Sequence, residues 1–237
     1  MRELEPTLFD QLLGPILDRD PASPRITFYD DATGARIELS GATLANWAAK
    51  TANLLCDEFG LDHGAKVAVL LPAHWQTAAV LLGCWWAGTQ VVLEPDHEAE
   101  LAFVTMDRVD EVETLPEIAV LSLDPMGAPV KGLPVGLTDY ATSVRMHGDA
   151  FRPRGTGPAF SATSASETAE LARESAAAQG FTATDRILSS SEWNTTEGII
   201  DGFLAVLAAG ASLVQVANSD PALVDRRVQS EKVTIQR

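Results

Sequence analysis

Cysteine is scarce in this 237-residue chain: only Cys56 and Cys84 are present. Each falls in an apolar helical pattern, which makes it a small buried hydrophobe. No CxxC pair or Cys/His cluster points to a metal, and His63, His74, His97 and His147 are scattered without ligand spacing. Basic residues are also few. Lys and Arg number 17 against 33 Asp and Glu, a net charge of −16. Such a field repels nucleic acid and anionic membranes, so neither is expected as a partner. It does not favour ATP or coenzyme A either, unless a local positive patch intervenes. Most of this charge reads as an acidic, solubilising surface. No G-x-S-x-G elbow is present for a hydrolase nucleophile. The longest apolar stretch, residues 67–93, is divided by Pro72, His74, Gln76 and Gly88, so it fits a buried strand–helix–strand better than a membrane span. The acidic opening Met1-Arg2-Glu3-Leu4-Glu5 has no signal core behind it, and a cytoplasmic protein is expected.

What is present is a repeated βα alternation. A short helix is expected over residues 8–17. A hairpin is expected from strands at 25–30 and 35–39 around the turn Asp31-Ala32-Thr33-Gly34. Ser40 suits the cap of a helix running to about Phe59. The continuous apolar run 66–71 reads as a strand buried on both faces. A helix over 75–87 follows, stopped by Gly88, and a strand over 89–93 completes a βαβ unit. Trp75 and Trp86 read as core, Trp85 as a face toward a partner. Short strands are expected at 102–105 and 118–123. Residues 125–136 are rich in Gly and Pro, residues 138–146 read as a short helix, and 148–158 as loop. Then the alternation resumes: strand 159–163, helix 167–179, strand 186–190, helix 196–209, strand 212–216. A helix over 220–230, with Asp220 as cap and Pro221 at its first position, and a strand over 232–236 end the pattern. The expected fold is α/β, with mostly parallel sheets flanked by helices. It divides into a first half (1–124), a connection (125–158) and a second, incomplete half (159–237).

Three runs carry a family resemblance. The first is Leu39-Ser40-Gly41-Ala42-Thr43-Leu44 followed by Thr51-Ala52-Asn53-Leu54-Leu55. The second is Gly64 to Gln76 (GAKVAVLLPAHWQ) with Trp86 to Pro95 (WAGTQVVLEP). The third combines Thr184-Asp185-Arg186-Ile187-Leu188, residues 204–214 (LAVLAAGASLV) and residues 228–234 (VQSEKVT). In order and spacing these resemble the adenylate-forming superfamily of acyl-CoA synthetases, peptide-synthetase adenylation domains and luciferases. The resemblance implies the front part of that family's large N-terminal domain. All of these matches are structural signals, and none is catalytic.

The catalytic signals depart from the family. Its phosphate loop reads [YF]-T-S-G-[ST]-T-G-x-P-K-G, with glycines that admit phosphate and a lysine that adds charge. The corresponding segment here is Phe160-Ser161-Ala162-Thr163-Ser164-Ala165-Ser166-Glu167-Thr168-Ala169-Glu170. Laid end to end, the glycine positions fall on Thr163, Ser166 and Glu170 and the lysine position on Ala169. The strand that follows the lysine in the family is expected to be missing. The hydroxyls of Ser161, Thr163, Ser164 and Ser166 remain as an anion-binding remnant, set against the plainer reading of a serine-rich turn and helix cap. Trp193 falls in the loop where the family approaches its acyl pocket. The family's Y-G-x-T-E segment, ribose-binding Asp and catalytic-Lys domain are expected to lie outside this sequence.

The resemblance and its departures imply a non-catalytic member that binds a ligand or partner. Two alternatives stand beside it: half of a ligase completed by another chain, or an unrelated α/β binding domain. No cofactor is expected, with weak binding of AMP, ATP or coenzyme A left open. A homodimer, or else a protein partner, is expected to cover the edge of the strand at 232–236.

Overall fold

The computed structural model describes residues 5–161 and 163–237. Two short helices come first, α1 (Leu8–Leu12) and α2 (Gly14–Arg19). The single helix expected here is divided at Leu13, because Pro15 has no N–H with which to continue α1. Strands β1 (Pro24–Asp30) and β2 (Ala35–Ser40) form the expected antiparallel hairpin. Ser40 caps α3 (Gly41–Asn53), its hydroxyl accepting from Thr43 N–H at 3.1 Å, and a π-helical turn (Leu54–Glu58) prolongs it.

The βαβ unit follows as β3 (Lys66–Leu70), α4 (Trp75–Ala87) and β4 (Gln90–Val92). Gly88 closes α4 in the left-handed conformation at φ 79°, which glycine adopts without steric cost. Next come β5 (Leu101–Thr105), β6 (Glu117–Leu121), β7 (Thr138–Asp139) and α5 (Tyr140–Ser143). The helix expected over 138–146 therefore opens as a strand on the edge of β6. The remaining elements are β8 (Pro158–Phe160), β9 (Thr163–Ser164), α6 (Ala165–Ala178) and β10 (Arg186–Ser189). A long helix then runs as α7 (Thr196–Ile199), a π turn (Ile200–Leu204) and α8 (Ala205–Ala209). Strand β11 (Ser212–Ala217), helix α9 (Pro221–Ser230) and strand β12 (Ile235–Gln236) follow.

The strands form two sheets, ordered β12-β10-β11-β1-β2 and β7-β6-β5-β3-β4-β8-β9. All pairings are parallel except the hairpins β1–β2 and β8–β9. The fold is thus α/β with mostly parallel sheets, as expected. The sheets do not follow the division at 125–158. Hairpin β1–β2 crosses to the sheet of β10–β12, where β1 pairs with β11, and β8–β9 joins the sheet of β3–β7 beside β4. Chain order alone does not assign these strands, because pairing is decided by which apolar faces meet.

Helix α4 lies between the sheets and touches β1 on one side and β3 and β4 on the other. Every residue of it except Trp86 is buried. A helix that is apolar all round belongs in a core. It packs tightly on α3: a Cβ on Gly83 would lie 2.5 Å from the Thr51 Cβ and 2.9 Å from the Ala48 carbonyl oxygen, so only glycine fits. Trp85 is buried against Phe160, and its Nε1–H donates to the Ala159 carbonyl at 3.0 Å. It faces the core, not a partner. Trp86 is the half-buried one, stacked on Phe9 at 3.7 Å. Cys84 is buried as expected, and burial pushes its thiol up to about 12. Cys56 is only partly buried.

On the outer face of the five-stranded sheet, Leu188, Val214 and Val216 pack under Val224 and Val228 of α9. An ion network fixes the same helix end. Glu231 accepts from Arg36 Nε at 2.8 Å, from Tyr29 Oη and from Arg186. Burial alone raises its pKa. Hydrogen bonds from Arg36, Tyr29 and Arg186 outweigh that and hold it at about 2, against an ordinary 4.5. A depressed carboxylate stabilises the fold above its ordinary pKa and loses that contribution as pH falls through the folded value. Glu231→Gln is therefore expected to cost about 2–3 kcal/mol near neutrality. Urea denaturation should show this deficit shrinking between pH 4.5 and 2. A deficit that stays constant over that window means the network does not carry the charge.

Candidate functional site

Strands β8 and β9 pair antiparallel, with Phe160 opposite Thr163 and Pro158 opposite Ser164. Only positions 161 and 162 separate them, the second lying outside the described residues. Thr163 and Ser164 form the short strand β9 directly before α6, so the strand expected over 159–163 is divided into the two arms of this hairpin. Ala169, placed at the lysine position, is fully buried on α6, and Glu170 is exposed on the same helix. Where the resemblance placed a phosphate loop, the described residues form a tight hairpin.

Ser164 caps α6. Its Oγ accepts from Glu167 N–H at 3.2 Å, while the Glu167 carboxylate accepts from Ser164 N–H and Oγ–H, both at 2.8 Å. This reciprocal box places a carboxylate on the helix N-terminus, the end of the dipole that attracts anions. Bonds from the Ser164 backbone and then its hydroxyl hold the Glu167 carboxyl below its usual range. An incoming phosphate meets a negative charge already seated there. The plainer reading of this segment, a serine-rich turn and helix cap, is what forms, and the S-x-x-E spacing is the signature of its reciprocal box.

The four hydroxyls do not converge. Ser161 is exposed and accepts from Gln90 Nε2 at 3.3 Å. Thr163 Oγ1 is buried with no partner among the described residues. Ser164 is engaged in the cap, and Ser166 faces Gln11 at 3.5 Å on another surface. Ser161 and Thr163 do line a cavity of about 620 Å³ beside the carboxyl end of β4, together with Asp96, His97, Asn194 and Thr195. None of the cavity's described lining residues is Lys or Arg. Asp96 takes a hydrogen bond from Glu98 N–H and another from Lys66 Nζ at 3.1 Å, which lower its pKa in that order. Lys66 is thereby occupied outside the cavity. Trp193 does not line it. Its side chain is 1% exposed and stacked on Phe203 at 4.8 Å, filling space in the core. Gln90, Asn194 and Thr195 have no local sequence signal, since only folding brings their loops together. Chemically, the cavity offers hydroxyls, an amide and an imidazole, with carboxylates at its rim.

No protein-family model matches the chain. It is 55% identical over 236 residues to a TIGR03089 family protein of Mycobacterium tuberculosis (strain ATCC 25618 / H37Rv), covering 96% of this chain and 97% of that protein. The chain belongs to the TIGR03089 family. Solved ligases share its fold. The anthranilate CoA ligase AuaEII, in complex with anthranoyl-AMP, superposes with a TM-score of 0.77 at 14% identity, over 99% of this chain and 50% of that one. The acyl-CoA synthetase of Brucella canis gives 0.76 at 18% identity, over 98% and 47%. ATP-bound MatB of Rhodopseudomonas palustris gives 0.72 at 17%, over 98% and 49%. This family member therefore has the fold of adenylate-forming ligases over its whole described length, and spans about half the length of those ligases.

If the box holds α6 as described, Ser164→Ala should lower stability by about 1 kcal/mol. Chemical denaturation reads this directly. An unchanged midpoint would show that the cap is not formed in solution.

Proposed function

We propose that this TIGR03089 family member is a non-catalytic derivative of the adenylate-forming fold that acts as a binding protein. The observation that supports it best is the Glu167 carboxylate seated on the α6 N-terminus, behind a hairpin with no room for a phosphate-cradling loop. Each charge-assisted phosphate contact that is lost costs about 1.5–3 kcal/mol. Two or three such losses weaken nucleotide binding roughly a hundredfold or more. AMP, ATP and coenzyme A then bind weakly at most. The cytoplasmic placement belongs to this proposal as well; no described helix is long and apolar enough to cross a membrane.

A second reading, half of a ligase completed by another chain, has one observation in its favour: the solved ligases of this fold are about twice as long. ATP–pyrophosphate exchange with a panel of carboxylic acids tests the first reading. Purified protein should give no exchange above a boiled control. Exchange by the chain alone overturns the binding-protein reading, and exchange that appears only with a second chain transfers support to the half-enzyme.

The partner proposed for this protein is a second copy meeting the outer edge of β12, the end strand of its sheet. An open edge offers unpaired backbone groups to another strand. Light scattering across protein concentration should show a dimer; a monomer at every concentration removes that part of the reading.

A further inference from the structure

Helix α6 presents two faces. Ala165, Thr168, Ala169, Ala172 and Ala176 are buried and turn it toward the core. Leu171, Glu174, Ser175, Ala178 and Gln179 form a second stripe. Their spacing of i, i+3, i+4, i+7 and i+8 puts them on one side of a helix. That side faces the start of α7 and the π turn that follows it, where Thr196, Glu197, Ile200 and Asp201 make the opposite wall. A groove of about 620 Å³ runs between the two walls. The sequence explains why it stays open. Ala178 carries only a methyl group, and larger side chains would have closed the space to the density of a core.

The groove has an apolar part and an acidic part. Leu171, Ala178 and Ile200 supply the first. Leu171 is 40% exposed, one of the few large apolar side chains that the described residues leave open to solvent. Glu174 on α6 and Glu197 on α7 are exposed on opposite walls, and none of the described lining residues is Lys or Arg. Asp201 is engaged instead in holding the walls together. It accepts from Ser175 Oγ–H at 2.6 Å and lies 3.4 Å from Arg237 Nη2. Gln179 Nε2–H donates to Ser175 Oγ at 2.9 Å and to the Asp201 carbonyl at 3.2 Å. These bonds join α6 to the π turn, so the groove is preformed. Single π turns inside a helix recur at functional sites.

We infer that this groove docks an amphipathic helix of a partner protein, which sets apolar side chains over Leu171, Ala178 and Ile200 and Lys or Arg beside Glu174 and Glu197. Charge decides the occupant. Carboxylates on both walls attract cations and repel acids. The chain's net charge of −16 draws a basic partner from a distance and opposes a second copy at so acidic a face. An apolar floor flanked by charge is the form in which a groove takes a helix. This surface is separate from the β12 edge and does not rest on the non-catalytic reading, since pyrophosphate exchange judges that reading and peptide titration judges this one.

The test is fluorescence anisotropy on the full chain with labelled peptides of about 16 residues, enough for four helical turns. One set carries a Leu stripe at i, i+3, i+4 and i+7 flanked by Lys or by Arg. Matched sets have the same composition scrambled, or Glu in place of the basic residues. At least one basic striped peptide should bind saturably, about tenfold or more tighter than its scrambled form of equal charge. Leu171→Asp should keep its Tm and weaken that peptide about tenfold or more. Glu174→Lys combined with Glu197→Lys should invert the preference, so that the Glu-flanked peptide binds better than the basic one. Glu113→Lys combined with Glu117→Lys makes the same change of charge just before and on β6, five strands from β9 in the sheet, and should leave the preference as in wild type. The inference is overturned if no basic striped peptide outbinds its scrambled form, if Leu171→Asp binds as well as wild type, or if both double variants shift the preference equally. It is overturned as well if Leu171→Asp turns a dimer into a monomer in light scattering, which assigns the groove to a second copy.

Discussion

Helix α4 is buried at every residue but Trp86, and the rest of the molecule is arranged to keep it so. A helix with no polar face cannot sit on a surface, so two sheets and α3 enclose it. The tight contact at Gly83 brings α3 close enough for Thr51 to reach Tyr140, their hydroxyls 2.8 Å apart. Because few voids are tolerated in such a core, Trp75, Gln76, Thr77 and Trp85 of α4 each direct a side-chain donor to a backbone carbonyl.

Those partners fix the elements around the helix. Trp85 holds the β8 strand through the Ala159 carbonyl, which sets the hairpin against β4. Trp75 Nε1 and Gln76 Nε2 reach the carbonyls of Pro125 and Asp124 at 3.1 and 3.3 Å, tying down the loop after β6. His74 caps the helix, its Nδ1 accepting from Gln76 N–H. A single buried helix thus ties down both the hairpin and the loop after β6.

Charge follows a similar logic. The net charge of −16 is not balanced locally at the hairpin, where a phosphate-binding site needs a positive exception. The cations that lie deep are committed elsewhere: Arg186 to Glu231, Arg227 to Asp31, and Arg25 to the Gly210 carbonyl. They join strands and helices of the five-stranded sheet, and at the helix α6 N-terminus the charge among the described residues is the Glu167 carboxylate.

Local chemistry was legible in the sequence wherever it was self-contained. The apolar run of β3, the caps Ser40 and Asp220, the stop at Gly88 and the hairpin at Asp31–Gly34 each depend on neighbours within a few residues, and each formed as read. The family pattern was legible too, because it is built from these same local signals in fixed order. Tertiary structure alone decided that β1 and β2 pair beside β11, nearly two hundred residues away, and that Trp85 rather than Trp86 is buried. It also decided that Thr163 and Ser164 form a strand, and that Trp193 fills core instead of facing a ligand. Phe28 and His74, 46 positions apart in the sequence, carry no motif at all, yet their rings meet edge-on at 4.3 Å. Their meeting depends on how two sheets close around one helix, and periodicity, which records only which face of an element is apolar, cannot say which other face it will meet.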